Sequence, residues 1–222
     1  MPPVAPPVPI RPEDADAQPR VVRANYFGVN AISMLRRAHD ARFATRYFRG
    51  NGIDVGGGYD SLALCQELFP AITRVFVYDR EHGDAQVLAN VPDGGFDFLY
   101  SSHCLEHLHD PAEALANWVR VVRPGGHLVV AVPDEDLYEQ GHWPSAFNPD
   151  HRWTFTLCKT RSWSPVSLNL LDLVRGVADR AMPLSLARMD HCYRTALQGR
   201  GFDQTRTPMA EAALEMVLQR LG

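Results

Sequence analysis

Apolar positions along the chain fall into short runs that alternate with stretches of helical period. Residues 50–55 hold a first short strand with an acid near its end. Residues 74–79 form a second closing on an acid, Phe96–Ser102 a third, and 127–132 a nearly unbroken apolar fourth. A run without alternation is expected of a strand buried on both faces of a sheet. Between these runs, Leu62–Leu68 and 111–120 repeat apolar residues at helical spacing, with Asp110 the expected N-cap and Pro111 in the first turn. Helical period also extends over 26–47, where Asn30 or Ser33 is the expected cap, and over 166–181. Strands alternating with helices predict an α/β, Rossmann-like, doubly wound and mostly parallel sheet. The run 214–220 fits a strand or a helix by period alone.

Two segments break this rhythm. Residues 2–19 contain seven prolines, which rules out helix or inner strand and predicts an extended, flexible arm over 1–22 ahead of a single domain over 23–222. Residues 134–182 open with a long irregular stretch rich in Asp, Glu, His, Trp and Pro. Directly after a central strand, such a stretch predicts a functional insertion, here an acceptor-binding lid.

The turn after the first strand reads Asp54-Val55-Gly56-Gly57-Gly58-Tyr59-Asp60. A strand, a glycine turn and a helix form the arrangement that holds a nucleoside cofactor in open α/β sheets. The dinucleotide fingerprint fails, because its third glycine would fall on Ser61. Acid-x-Gly-x-Gly fits instead, at Asp54, Gly56 and Gly58. A carboxylate there repels a pyrophosphate and suits a cationic ligand; a tight turn without a ligand is the competing reading.

Together with Phe96–Ser102, the Leu105-Glu106-His107 triplet and the Arg123-Pro124-Gly125-Gly126 turn, this motif resembles class I S-adenosylmethionine-dependent methyltransferases. The resemblance implies a seven-stranded sheet with 214–220 as its final strand. It also implies that Asp54, Gly56 and Gly58 surround the methionine part of the cofactor and that Asp79, with Arg80 beside it, takes both ribose hydroxyls. Asp84 and Ala85 would lie at the adenine, and Ser101, Ser102 and His103 under the sulfonium. Residues 133–140 and 147–156 resemble a narrower subgroup, small bacterial enzymes that methylate sugar hydroxyls. That resemblance implies a small saccharide acceptor, such as a mannoside methylated at O1 in polysaccharide biosynthesis, and possible assistance by Mg²⁺.

A sugar hydroxyl is a poor nucleophile, so its methylation requires a general base or a cation at the developing alkoxide. His151 is the expected base, with His103 in reserve and Asp134 a further catalytic candidate. Asp134, Glu135 and His151 form the expected Mg²⁺ set, against the alternative of a solvated acidic loop. Tyr138, Glu139, His142, Trp143 and Trp153 are the expected substrate-binding residues, since aromatic faces stack on sugar rings while polar groups bind hydroxyls.

Composition narrows the partners. Net charge is −4, with no basic strip for nucleic acid and no apolar stretch approaching the ~18 residues of a membrane helix. Four cysteines with no Cys-x-x-Cys pair predict reduced, mostly buried thiols and a cytoplasmic location; a homodimer is a possible assembly. Two other function classes fit the same motifs: methyl transfer to a non-sugar nitrogen or oxygen, and a non-catalytic, cofactor-binding partner subunit.

Overall fold

A computed structural model describes residues 8–18, 28–206 and 210–222. Its centre is a six-stranded sheet in the order β2-β1-β3-β4-β8-β7. The strands are β1 (Gly50–Val55), β2 (Ile72–Tyr78), β3 (Phe96–Ser102), β4 (Val122–Pro133), β7 (Ala181–Met189) and β8 (Ala213–Arg220). The first four run parallel, and β8 is antiparallel to both β4 and β7. Two short strands, β5 (Thr154–Thr156) and β6 (Ser167–Asn169), pair separately.

Period-2 alternation divides the core. Ile53, Val55, Leu99, Leu128 and Val130 face one layer, against α2 (Pro111–Val121) and α3 (Leu170–Arg175). Phe98, Tyr100 and Val129 face the other, where Met34 of α1 (Val29–Ala38), Phe48 and Phe69 pack. With both faces covered, β3 and β4 are apolar nearly throughout. Asp110 caps α2, accepting from the backbone N–H groups of Ala112 and Glu113 at 2.9 and 3.0 Å.

Among the described residues the sheet has six strands rather than the expected seven. Residues of the proline-rich segment lie against the outer edge of β2. The Gln18 side chain donates to Val77 O (2.7 Å) and accepts from Val77 N (2.8 Å), an amide imitating a neighbouring strand. Ile10 is buried and donates its N–H to Asn90 O at 2.8 Å. Residues 8–18 are thus docked rather than extended and free; the rest of the expected arm lies outside the described residues.

Other expectations give way to caps. Of the described part of 26–47, α1 spans Val29–Ala38, with Gly28 at its N-cap rather than Asn30 or Ser33, and a break at 39–40 separates it from a second helical segment that ends in a π-helix at Phe43–Tyr47. Helix over 166–181 shrinks to Leu170–Arg175: the Asn169 side chain accepts from Leu171 N and fixes its start, and Gly176 caps its end. Leu62–Leu68 winds as a tighter 3-10 helix. Strand β7 had no sequence signal, because Pro183 sits inside it; an edge strand tolerates the missing donor through a register shift between Pro183 and Ser185. All four cysteines are free thiols, with Cys104 buried but Cys158 and Cys192 exposed. Among the described residues, no helix is long and apolar enough to cross a membrane.

Candidate active site

The chain leaves β1 toward β2 on one side and returns to β3 on the other, and a crevice at such a reversal is where open α/β sheets bind ligands. Asp54 pairs in register with Val77 and Tyr100, so the carboxyl ends of three strands open together into a cleft of about 850 Å³.

The glycine turn forms one wall. Gly56 and Gly58 have φ of +78° and +47°, a region that L side chains resist. A Cβ on Gly56 would also stand 2.7 Å from the Cys104 side chain, and one on Gly58 would stand 3.0 Å from Asp79 Oδ2. Asp54 is fully buried. Its Oδ2 accepts from Ser61 Oγ (2.6 Å) and Leu62 N (2.8 Å), while Oδ1 has no partner. Burial pushes its pKa up to about 7, against the opposing pull of those hydrogen bonds.

Asp79 follows β2 and lines the same cleft, with Oδ1 accepting from Arg80 N at 2.7 Å. Arg80, Asp84 and Ala85 continue this wall. Ala85 O accepts from Trp118 Nε1 at 2.8 Å, which ties the loop to α2. These groups fit a cationic nucleoside: a bare cradle, a carboxylate for a diol, and an unpartnered carboxylate oxygen beside the glycines.

Ser101 does not share the cleft. It is buried, and its Oγ donates to Val55 O at 2.8 Å. Strand alternation turns Ser102 to the cleft instead, and His103 follows at φ +55°. Beyond it lies Glu106, fully buried with neither carboxylate oxygen hydrogen-bonded. His103 Nδ1 is 3.4 Å from Glu106 Oε1, while His107 Nε2 and His151 Nε2 are each 3.9 Å away. Burial favours the neutral acid, but the histidines, His103 foremost, outweigh it and hold the carboxyl below its ordinary range. His151 is itself held by Glu139, with Nδ1 2.7 Å from Oε1. Burial opposes charge on this imidazole, yet Glu139 and Glu106 raise its pKa above the usual value.

Residues 134–153 divide. Tyr138, Asn148, Asp150 and His151 line the cleft, and Glu139 reaches it only through His151. Asp134, expected to be catalytic, lies away from it and caps the turn Glu135–Glu139, accepting from Asp136 N and Leu137 N. Glu135 is directed toward the two-stranded sheet, where Lys159 Nζ (3.0 Å), Ser162 Oγ (2.7 Å) and Ser167 Oγ (2.5 Å) occupy its oxygens. The expected set of Asp134, Glu135 and His151 therefore does not come together. His142, Trp143 and Trp153 also lie outside the cleft lining; Trp153 Nε1 donates to Leu108 O at 2.9 Å and packs on the core. Asp203, Thr205 and Arg206, from the connection between β7 and β8, contribute to the cleft without any sequence signal. Glu106 was visible only as part of a motif, since nothing in local period marks an acid as buried.

A family profile for a methyltransferase domain matches residues 30–163, more than half of the chain. A stretch of 73 residues is 33% identical to a protein of Mycolicibacterium smegmatis described as a probable S-adenosylmethionine-dependent methyltransferase, covering 33% of this chain and 28% of that protein. Another of 56 residues is 46% identical to an uncharacterized 37.1 kDa protein in a Streptomyces fradiae transposon, covering 25% of this chain and 16% of that one. The chain thus matches less than a third of the length of either relative. Among solved structures, an S-adenosylmethionine-dependent methyltransferase of Mesorhizobium loti superposes with a TM-score of 0.54 at 12% identity, covering 87% of this chain and 100% of that one. A Haloferax volcanii protein solved in complex with the Trm112 methyltransferase activator gives 0.54 at 17% identity, covering 85% and 88%. At these identities the structural likeness concerns the fold.

Proposed function

The chain belongs to the methyltransferase-domain family, whose members use S-adenosylmethionine, and from that membership we propose that it methylates a hydroxyl group of a small saccharide. The observation that carries the choice of a hydroxyl acceptor is the imidazole–carboxylate cluster opening on the same cleft as Asp79 and the glycine turn. Amines and thiolates react without such help, whereas a hydroxyl must lose its proton during attack.

When bound, S-adenosylmethionine supplies a methyl group on a sulfonium, whose C–S electron pair leaves with sulfur as the acceptor O–C bond forms. Asp79 accepts from the two ribose hydroxyls, and the glycines let backbone approach the ligand closely. Asp54, once ionised, offers Oδ1 to the cationic end. Alignment of the acceptor with the methyl group supplies the larger part of the acceleration, ~7–11 kcal/mol.

His103 is the proton acceptor in this reading. His151 was the expected base, but its side chain is 3% exposed against 22% for His103. Tyr138, Asn148, Asp150 and Asp203 present the mixed aromatic and polar surface that a neutral sugar matches. The expected Mg²⁺ ligands do not converge, so no step passes through that ion.

A screen of neutral oligosaccharides by transfer of labelled methyl tests this reading. Label is expected on a saccharide hydroxyl, and His103→Ala is expected to bind S-adenosylmethionine normally while losing ~10²-fold or more in transfer. Transfer to amines alone would overturn it.

A further inference from the structure

We propose that Glu106, His107 and His151 form a binding site for a divalent transition-metal ion of the zinc, cobalt or iron(II) class. The Glu106 carboxylate, His107 and His151 each offer an atom, and the three lie within 4.8 Å of one another. They come from the turn that follows β3 and from the irregular stretch after β4, elements that only the fold brings together.

Three features separate this cluster from an ordinary group of counter-charges. Glu106 is fully buried and neither of its oxygens has a hydrogen-bond partner, an expensive condition for a carboxylate unless a cation completes it. Both imidazoles are oriented through Nδ1: His151 toward Glu139 Oε1 at 2.7 Å, and His107 toward Asp150 O at 3.1 Å. With Nδ1–H donated to an oxygen, the Nε2 lone pair of each is left for a ligand, and each Nε2 lies 3.9 Å from the same Glu106 oxygen. Carboxylate–histidine and carbonyl–histidine pairs of this kind orient metal-binding imidazoles. Finally, 3.9 Å is too long for a hydrogen bond and only a few tenths of an ångström beyond the separation of ligands around a tetrahedral ion, about 3.3–3.6 Å for bonds of about 2.0–2.2 Å.

Two nitrogens and one carboxylate oxygen suit zinc, cobalt or iron better than magnesium, which prefers oxygen ligands throughout. All three residues line the cleft, so further coordination positions open toward the acceptor. In that use the site deepens the hydroxyl-acceptor reading and rests on it: an ion held there would bind the acceptor oxygen and stabilise the alkoxide that develops during attack.

Titrating the tag-free, chelator-stripped chain with Co²⁺, read by visible absorption, tests the site without any methyl transfer. One Co²⁺ per chain is expected, displaced by Zn²⁺ and not by equimolar Mg²⁺. Glu106→Gln, His107→Ala and His151→Ala are each expected to weaken binding at least 100-fold, and Glu139→Gln about 10-fold through loss of the orienting bond. His107 is 30% exposed, so its variant keeps the comparison open if the buried replacements fail to fold, as circular dichroism would reveal. Substoichiometric uptake, equal affinity in wild type and folded variants, or displacement by equimolar Mg²⁺ would overturn the proposal. A chain that takes one ion but methylates no saccharide keeps the site and ends the sugar reading alone.

Discussion

Two buried glutamates, one on β8 and one in the turn after β3, have opposite surroundings. Glu215 on β8 receives Arg37 Nη2 at 2.5 Å, Arg37 Nε at 2.8 Å, and Arg36 Nη2 at 3.0 Å. Fully buried Arg37 is satisfied in turn by Ser33 Oγ (2.8 Å) and the Tyr100 hydroxyl (2.9 Å). Tyr100 then donates to Asn30, which holds Asp60 beside the glycine turn through bonds of 2.9 and 2.6 Å. Glu106 has no well-formed hydrogen bond, only histidine nitrogens at 3.4–3.9 Å from Oε1. A carboxylate whose lone pairs are filled by the protein fixes α1 on the sheet; one left with open lone pairs in a cleft is available to whatever enters. The difference separates scaffold from site more sharply than burial does, since both residues are buried.

The largest test of this contrast is Arg37→Ala. It leaves the buried Glu215 charge held by Arg36 alone and the Tyr100 and Ser33 hydroxyls without their guanidinium donor, and is expected to cost about 3–5 kcal/mol of stability in urea unfolding. A loss under ~1 kcal/mol would remove the network from the scaffold. Asp79→Ala should leave the fold intact while reducing S-adenosylmethionine affinity by ~10²-fold, the worth of two hydrogen bonds to a charged group; calorimetry showing unchanged affinity would remove the ribose assignment. Glu106→Gln should cost less than half as much stability as Arg37→Ala, about 1–2 kcal/mol at most, because its partners are histidines without hydrogen bonds. A loss equal to that of Arg37→Ala would make Glu106 a scaffold residue and erase the contrast.

The smallest effect concerns pH. The folded pKa of Asp54, about 7, lies above its ordinary value of 3.8. Its contribution to stability is therefore full below the ordinary value and is lost as pH rises toward about 7, where the fold must carry a buried charge. A cationic ligand offsets that charge, so affinity for S-adenosylmethionine is expected to rise about fivefold between about pH 6 and about pH 7.5. Asp54→Asn should flatten the profile; an unchanged slope would place the titration elsewhere.

Legibility followed the range of the interactions. The cap at Asp110 depends on two backbone amides two and three residues away, and the glycines at 56 and 58 depend on local φ; both were evident from neighbouring residues. Strand β7 was not, because its pairing with β8 lies in partners far along the chain and Pro183 obscures its period. Ser101 and Ser102 are adjacent and chemically alike, and only the pleat decided that the first bonds to Val55 while the second meets the cleft. Glu135 read as a metal ligand because acids cluster around it, but Lys159, Ser162 and Ser167 approach it only in the folded chain.

By itself the sequence determined an alternating α/β chain, a glycine turn too bare for a side chain, and acids at the ends of its first two strands, all set by local sterics and period. Tertiary structure decided which polar groups meet. It placed residues 8–18 on the outer edge of β2, separated Asp134 and Glu135 from His151, and brought Glu106 among three histidines. The physical reason is that hydrogen bonding and charge act across a few ångströms of space, and a chain of this length assigns those distances only after its sheet has formed.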